Sequence, residues 1–268
     1  KSYDLRSWWF MAVNTISQPF DNQKVREAMH LTLDRNELRE LTIGVDPNDK
    51  NPPCEFISGP FVQSSPYYNR AVPLQETHNR DRAKALLAEA GATETSGRWL
   101  MNGNPITIRL GMNSSLDAEA KDLLNQLGNQ FGTVGLDRQV HMISPDEWNR
   151  KIVTGEASSE FDLALGKWSF GVVEDVTSIF HTRQGGKGAL NIFNYTDAQV
   201  DKLLMRFEDA RTDTEARDAY HDLHATVAQK FPYIFLWKLD TKSAWRMEIK
   251  GNTIAPYFYF TSVDGWSN

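Results

Sequence analysis

The sequence predicts an α/β fold in which a mixed, mostly parallel sheet carries helices on its faces. Between residues 105 and 168, strand-like and helix-like segments alternate, and the helical segments begin at capping residues and stop at glycines. Units of this kind join parallel strands through crossovers. An apolar fraction of 40% in 268 residues is also enough for a real core.

The N-terminal part predicts a buried strand followed by two helices. Residues 7–14, SWWFMAVN, are nearly all apolar and form the strand. In PFDNQKVREAMHLTLDR, residues Val25, Ala28, Met29 and Thr32 recur at the spacing of one helical face, which predicts an amphipathic helix. Asp34 can cap the next helix, with Glu37 as its capping-box partner and Gly44 as the stop.

Residues 47–77 lack periodicity and are rich in proline and serine, so we expect a long surface excursion there. Helix resumes after Asn79, a capping residue, and Gly91 can stop it. The segment RWLMNGNPITIRLGM predicts a hairpin that turns at Asn102 and Gly103, with a long alternating second strand.

The alternating region continues with two capped helices. Ser114 and Asp117 open a helix with an apolar stripe that ends at Gly132, and the strand LDRQVHMI follows. Residues 144–147 supply a cap, an N1 proline and a capping-box carboxylate for a short helix closed by Gly155. The strand FDLALGKW comes next. Ligands of such sheets gather beyond the carboxyl ends of the strands.

The C-terminal third predicts two more helices, then strands. Thr196 and Thr212 are the expected caps, and Pro232 stops the second helix. YIFLWKL and SAWRMEI have strand character, and an aromatic tail, APYFYFTSVDGWSN, ends the chain.

Charge and composition narrow the possible partners. Lys and Arg total 29 against 35 for Asp and Glu, a net charge of −6, which argues against nucleic acid as the partner. The single cysteine, Cys54, cannot form an internal disulfide. No segment approaches the ~18 apolar residues of a membrane helix. A small ligand is the default expectation, and 11% aromatic residues suit a protein that wraps a flexible one.

Four motifs, in order along the chain, resemble one known family. These are the opening FMAVNTISQPFDNQKVREAMHLTLDR, the helix RAKALLAEAG, the strand FDLALGKW and the segment NYTDAQVDKLL. They are similar to the signature segments of the bacterial extracellular solute-binding proteins of family 5, the oligopeptide, dipeptide and nickel receptors of ABC importers. Four matches at suitable separations are far more specific than one.

The resemblance implies a periplasmic binding protein-like (type II) lobe. Residues 1–249 would be the C-terminal ligand-binding lobe, and residues 250–268 a tail that returns to an N-terminal lobe absent from this chain. Together the lobes would bind an oligopeptide or other small elongated solute and pass it to ABC transporter permease subunits, on the periplasmic or extracellular side of the cytoplasmic membrane. The alternative is the ligand-sensing domain of a cytoplasmic transcription regulator with the same fold.

The resemblance also implies a ligand site at the end of the strand FDLALGKW. Trp168 corresponds to the family's pocket tryptophan, and Ser169, Phe170 and Gly171 follow it. Peptide-binding members carry an aspartate three residues after this tryptophan that holds the ligand's α-amino group, and here Gly171 occupies that position. Glu174 or Asp175 could supply a carboxylate from a shifted loop.

Other candidate residues have competing structural interpretations. Trp148 lies where the family often places an aromatic facing the cleft, but it could equally be a core residue. His221 and His224 lie at i, i+3 and could share a metal, although no third ligand is nearby and a solvated helix face explains them better. No nucleophile motif or acid/base pair is present, so we predict neither an enzyme nor a cofactor.

Overall fold

The structure is a computed structural model. It describes residues 2–3, 5–46, 49–50, 52–75, 77–116, 118–154, 160–242, 246–252 and 263–267. The strands are β1 (Ser2–Tyr3), β2 (Ser7–Val13), β3 (Cys54–Phe56), β4 (Thr93–Thr95), β5 (Arg98–Met101), β6 (Asn104–Pro105), β7 (Thr107–Asn113), β8 (Asp137–Ile143), β9 (Leu163–Ser169), β10 (Tyr233–Phe235), β11 (Trp237–Leu239) and β12 (Thr241–Lys242). The helices are α1 (Gln23–Thr32), α2 (Arg35–Ile43), α3 (Arg80–Glu89), α4 (Ala118–Gly132), α5 (Pro145–Trp148), α6 (Thr177–Phe180), α7 (Ala198–Glu208) and α8 (Asp213–Lys230).

A five-stranded sheet in the order β10-β2-β9-β7-β8 forms the centre. β7 pairs in parallel with both β8 and β9, which confirms the parallel unit predicted between residues 105 and 168. β2 pairs antiparallel with β9, and β10 antiparallel with β2. The sheet is therefore mixed, as expected, and the carboxyl ends of β7, β8 and β9 lie at one edge.

The two faces of the sheet carry separate apolar cores. Alternation along each strand sends successive side chains to opposite faces. One core joins Trp9, Met11 and Leu165 to residues of α1 to α4. The other joins Trp8, Phe10 and Ala164 to residues of α6, α7 and α8 and of the connection after β3. Helices on both faces of the sheet complete a three-layer lobe.

Most helix limits follow the predicted caps. The Asp34 side chain accepts from the Glu37 N–H, and Gly44 ends α2 in the left-handed conformation at φ 69°. Reciprocal capping boxes open α5 at Ser144 and α8 at Thr212. Thr196 was the wrong cap for α7, because Asp197 accepts from two backbone N–H groups there.

Several sequence expectations are corrected by tertiary pairing. The Asn102-Gly103 turn is present, but the strand after it is split: β6 stays in the hairpin and β7 joins the central sheet. YIFLWKL divides in the same way, since β10 joins the central sheet whereas β11 pairs with β3. The 47–77 segment is not a surface excursion, because β3 and several apolar side chains within it are buried.

Some expectations fall on residues that the structure does not describe. The helix-opening Asp117 and the helix-closing Gly155 are among them, and so are residues 243–245 of the SAWRMEI segment. Within the tail, 253–262 and 268 also lie outside the described residues.

A glycine in β9 makes room for an aromatic ring of β2. Phe10 and Gly166 are register partners, and a Cβ added to Gly166 would lie 2.7 Å from Phe10 Cζ. The absence of a side chain lets the Phe10 ring lie over β9, where it stacks on Trp168 with centroids 5.7 Å apart. The size of residue 166 therefore controls the position of the aromatic ring beside the strand end.

We predict that Gly166→Ala destabilises the lobe by about 1–3 kcal/mol, the usual cost of overpacking. Urea unfolding followed by tryptophan fluorescence measures the change. Gly171→Ala is the matched control, since a Cβ there meets no atom within 4 Å, and its free energy of unfolding should stay within about 0.5 kcal/mol of the parent. Equal stability of the two variants would contradict the packing argument.

Candidate functional site

The carboxyl end of β9 carries a cluster of aromatic side chains. Trp168 stacks on Phe10 at an interplanar angle of 15°, and Phe170 stacks on Trp8 with centroids 6.1 Å apart. Trp168 and Phe170 are partly buried, whereas Trp8 and Phe10 are fully buried below them. The two outer rings are thus held in fixed positions by an aromatic floor that belongs to the core.

Trp148 follows the carboxyl end of another parallel strand, β8. It ends α5, the short capped helix that follows β8, and it is partly buried against the core that contains Trp168. The prediction left open whether Trp148 belongs to the core or to the site. The structure shows Trp148 partly buried against this core, and its contact with a ligand stays a prediction. We call Trp148, Trp168 and Phe170 the aromatic edge.

The residues after Trp168 form an open rim. Ser169 and Gly171 are exposed, and the apolar side chains of Val172 and Val173 are 53% and 72% exposed. These two valines and the partly buried aromatics give this edge an apolar surface. The structure therefore brings Trp148, Trp168 and Phe170 to one edge and leaves a position without a side chain, Gly171, beside them.

Arg6 holds this rim in place. Its backbone carbonyl accepts from the Phe170 N–H at 2.8 Å. Its guanidinium donates to the Val172 carbonyl and lies 3.4 Å from a carboxylate oxygen of Glu174. Sequence reasoning missed Arg6, since a single arginine ahead of a strand carries no local signal of such a role.

The two acidic residues of the rim differ in exposure. The Glu174 side chain is fully buried and accepts a 2.5 Å hydrogen bond from Ser65 Oγ. Burial raises the Glu174 pKa, while the Ser65 hydrogen bond and the Arg6 charge oppose the rise. Asp175 is exposed, and its carboxylate accepts from the Thr177 N–H at the start of α6. The Glu174 carboxylate is thus enclosed, whereas the Asp175 carboxylate is exposed and accepts at one oxygen only.

The two histidines of α8 do not form a metal site. His224 is fully buried, so the expectation of a solvated helix face was wrong for it. Its Nδ1 accepts from the Asn69 N–H at 3.1 Å, and its Nε2 lies 3.0 Å from Ser58 Oγ. His221 Nε2 lies 3.1 Å from the Pro66 carbonyl. Across the part of the chain that the structure describes, no group of three potential ligands could hold a metal ion.

The Ser58–His224 pair also lacks the arrangement of a catalytic dyad. A backbone N–H can only donate, so the His224 Nδ1 that accepts from Asn69 carries no proton. The proton of the neutral ring is then on Nε2 and points to Ser58 Oγ. A general base would instead need a lone pair on Nε2 to accept the serine proton. The pair instead links His224 of α8 to Ser58 in the segment that follows β3.

Comparison with known proteins gives the aromatic edge a context. The sequence profile described as "Bacterial extracellular solute-binding proteins, family 5 Middle" matches residues 2–189. The oligopeptide-binding protein AppA of Bacillus subtilis is 24% identical over 263 residues, which are 97% of this chain and 46% of AppA. The glutathione-binding protein GsiB of Pectobacterium atrosepticum is 25% identical over 95% of this chain and 46% of its own length.

Solved structures show the same fold. AppA from Bacillus subtilis in complex with a nonapeptide superposes with a TM-score of 0.81 at 22% identity, covering 99% of this chain and 51% of that protein. NikZ from Campylobacter jejuni in complex with Ni(L-His) superposes with a TM-score of 0.78 at 18% identity, covering 98% of this chain and 53% of NikZ. The chain thus spans about half the length of these relatives. Among the described helices, none is long and apolar enough to cross a membrane.

The buried histidine of α8 predicts a dependence of stability on pH. Burial, together with the nearby His221, lowers the His224 pKa to about 3. The unfolded chain, with an ordinary pKa near ~6.5, therefore binds a proton between these values that the folded chain does not. The contribution of His224 is complete above pH ~6.5 and is lost as the pH falls, by about 1.4 kcal/mol per pH unit.

Urea unfolding at several pH values between 7 and 5 tests this prediction. His224→Gln should be less stable at pH 7 yet show a shallower decline, since it cannot take up the proton. His141→Gln, on the exposed strand β8, is the control and should keep the slope of the parent. A parent and a His224→Gln variant with identical slopes would show that His224 is protonated in the fold.

Proposed function

The chain belongs to the bacterial extracellular solute-binding proteins of family 5, and from this membership we propose that it is the C-terminal lobe of an ABC importer receptor. The receptor would bind a peptide-like or other elongated solute between two lobes and deliver it to the permease subunits. Its place would be the periplasmic or extracellular side of the cytoplasmic membrane.

The aromatic edge is the observation that carries the proposal. Trp168 and Phe170 lie at the carboxyl end of β9 and Trp148 follows that of β8, and ligands of parallel strands gather at this edge of a sheet. Flat rings fixed on a packed core provide apolar contact area with little loss of side-chain entropy. An elongated solute could lie across these rings while the second lobe covers its other side.

Hinge closure would couple binding to transport. A ligand that contacts both lobes favours the closed form by the free energy of the contacts made only there. A rim with a fixed position suits this role. Arg6, directly before β2, holds the segment after β9 through hydrogen bonds to Phe170 and Val172. The lobe would then close as a rigid wall.

The proteins matched above support transport over regulation. The names of AppA and GsiB describe binding proteins, whereas the alternative requires a DNA-binding domain fused to this fold. Enzymatic activity has no support in the Ser58–His224 geometry, where the ring proton points to the hydroxyl.

The environment of Gly171 favours solutes without a free N-terminal amine at this point of the cleft. An ammonium group needs an accessible carboxylate. Glu174 is enclosed by Ser65 and Arg6, and the exposed Asp175 has one carboxylate oxygen engaged by the Thr177 N–H, so no free carboxylate stands at position 171 itself. The receptor should therefore bind unblocked tripeptides poorly compared with its own solute.

Replacing Gly171 with aspartate should create amine recognition in the two-lobed receptor. The site has room, since a Cβ at Gly171 meets no atom within 4 Å. Calorimetry with trialanine and N-acetyl-trialanine is the measurement. Gly171→Asp should bind trialanine about tenfold or more tightly than the parent does, as expected for a charge-assisted hydrogen bond, and the acetylated peptide should gain nothing.

Gly171→Asn has nearly the same shape without the charge and serves as the control. Submicromolar binding of trialanine by the parent, lost on N-acetylation, would contradict the proposed preference.

The lobe alone should bind the solute much more weakly than the two-lobed receptor, because a cleft ligand buried by one wall keeps only part of its contact area. The solute can be extracted from the two-lobed receptor and identified by mass spectrometry. Titration into both proteins, followed by tryptophan fluorescence, then compares the affinities. Trp168→Phe reports whether the signal comes from the aromatic edge. Equal affinities would mean that the site is complete within this chain.

A further inference from the structure

The central sheet ends at β8, which has a neighbouring strand on one side only. All seven residues of this strand, Asp137–Ile143, pair in parallel with β7. Among the described residues, no strand pairs with its other side. Residues 138–142 are all exposed. We call the unpaired side of this strand the β8 edge.

The hydrogen bonds to β7 show which backbone groups of β8 face inward. The Asp137 N–H donates to the Ile106 carbonyl at 3.2 Å, and the Ile143 carbonyl accepts from the Ser114 N–H at 2.8 Å. In a parallel pair with unbroken register, every second residue of an edge strand turns both its N–H and its C=O towards the neighbouring strand. The odd-numbered residues of β8 therefore face β7.

The even-numbered residues, Arg138, Val140 and Met142, consequently turn their N–H and C=O groups away from the sheet. In the described part of the chain these backbone groups have no hydrogen-bond partner. The side chains of Val140 and Met142 are also 39% and 49% exposed. Arg138 is held on the α4 face of the sheet, where Nη2 donates to Asn129 Oδ1 at 2.7 Å. The β8 edge thus offers free backbone groups beside exposed apolar side chains.

The opposite edge of the same sheet is protected. Its edge strand, β10, has three residues, and the Phe235 carbonyl accepts from both Nε and Nη2 of the buried Arg35. Short edge strands and side chains that cover the edge are common protections against pairing with another chain. β8 has neither protection, since it is seven residues long and its charged residues, Asp137 and Arg138, occupy only its first two positions.

We propose that the β8 edge pairs with the β8 edge of a second copy of this chain, antiparallel and around a two-fold axis at Val140. In this register Val140 faces the partner's Val140, and Arg138 faces the partner's Met142. All residues with outward backbone groups then face one another. Each facing pair exchanges two N–H···O=C bonds, so the open groups of both copies are satisfied together.

The side chains favour this register over the alternative centred on Arg138. A two-fold axis at Arg138 would place like charges directly opposite each other, which is destabilising, and it would leave Met142 without a partner. With the axis at Val140, two β-branched side chains are cross-strand neighbours. The Met142 side chain then lies beside the alkyl part of the partner's Arg138. The pairing would cover the apolar surface that β8 exposes in the single chain.

The pairing leaves the aromatic edge free. Trp168 belongs to β9, which β7 separates from β8. Because the two β8 strands run antiparallel, the aromatic edges of the two copies would lie at opposite ends of one continuous sheet. The proposal is therefore independent of the transport function proposed above, and it assigns a partner to a surface outside the cleft.

Sedimentation velocity on the 268-residue chain, between ~5 µM and ~0.5 mM protein, measures the association. The parent should form a dimer whose fraction rises with concentration. Val140→Pro removes an outward N–H but no bond to β7, so the sheet is kept, as far-UV circular dichroism can show. Losing these backbone bonds and the fit of the strands should weaken the dimer about tenfold or more.

Charge reversal at the two-fold axis tests the register. Val140→Lys and Val140→Glu each place like charges opposite each other and should be monomeric, whereas an equal mixture of the two variants should form a dimer again. Val173→Lys, the same change at an exposed valine far along the chain from β8, is the matched control and should dimerise like the parent.

If Val140→Pro fails to fold, the two charged variants still decide the question. A parent that stays monomeric up to ~0.5 mM would overturn the proposal, even if the β8 edge then bound an extended peptide. Self-association that survives both Val140→Lys and Val140→Glu would place the contact elsewhere on the chain. A mixture of these variants that remains monomeric would contradict the register.

Discussion

The antiparallel register of β2 against β9 is the constraint on which the lobe depends. It aligns Trp8 with Trp168 and Phe10 with Gly166. This pairing inserts the N-terminal strand beside three parallel strands and gives β10 a partner on its other side. Both cores then have a continuous sheet to pack on, since alternate residues of β2 enter one core or the other.

The same register links stability to the candidate site. Phe10 can lie over β9 only because residue 166 has no side chain, and Trp168 stacks on that ring. The outer aromatics are therefore supported by inner ones that are completely buried. Rings supported in this way are ordered without a ligand, which would reduce the entropy lost if a solute binds at this edge as proposed.

Polar groups inside the lobe have distinct consequences. Glu174 is stabilised by Ser65 and Arg6, so it fixes the rim and is not available for a ligand. His224 uses both ring nitrogens to connect α8 with the connection after β3. Arg35 has a similar internal role, since its Nε and Nη2 donate to the Phe235 carbonyl and so link the start of α2 to β10.

The sequence by itself determined the local structure. Capping pairs such as Ser144 with Glu147 and Thr212 with Glu215 set the helix starts, because their hydrogen bonds join residues three positions apart. Only the tertiary structure decided which strands pair, where YIFLWKL divides, and that His224 is buried, since these outcomes depend on residues far apart in the chain. The motifs indicated Trp168. Its support by Phe10 and the anchoring of the rim by Arg6 arise from strand pairing between residues about 160 positions apart. Local periodicity does not encode pairing over such distances.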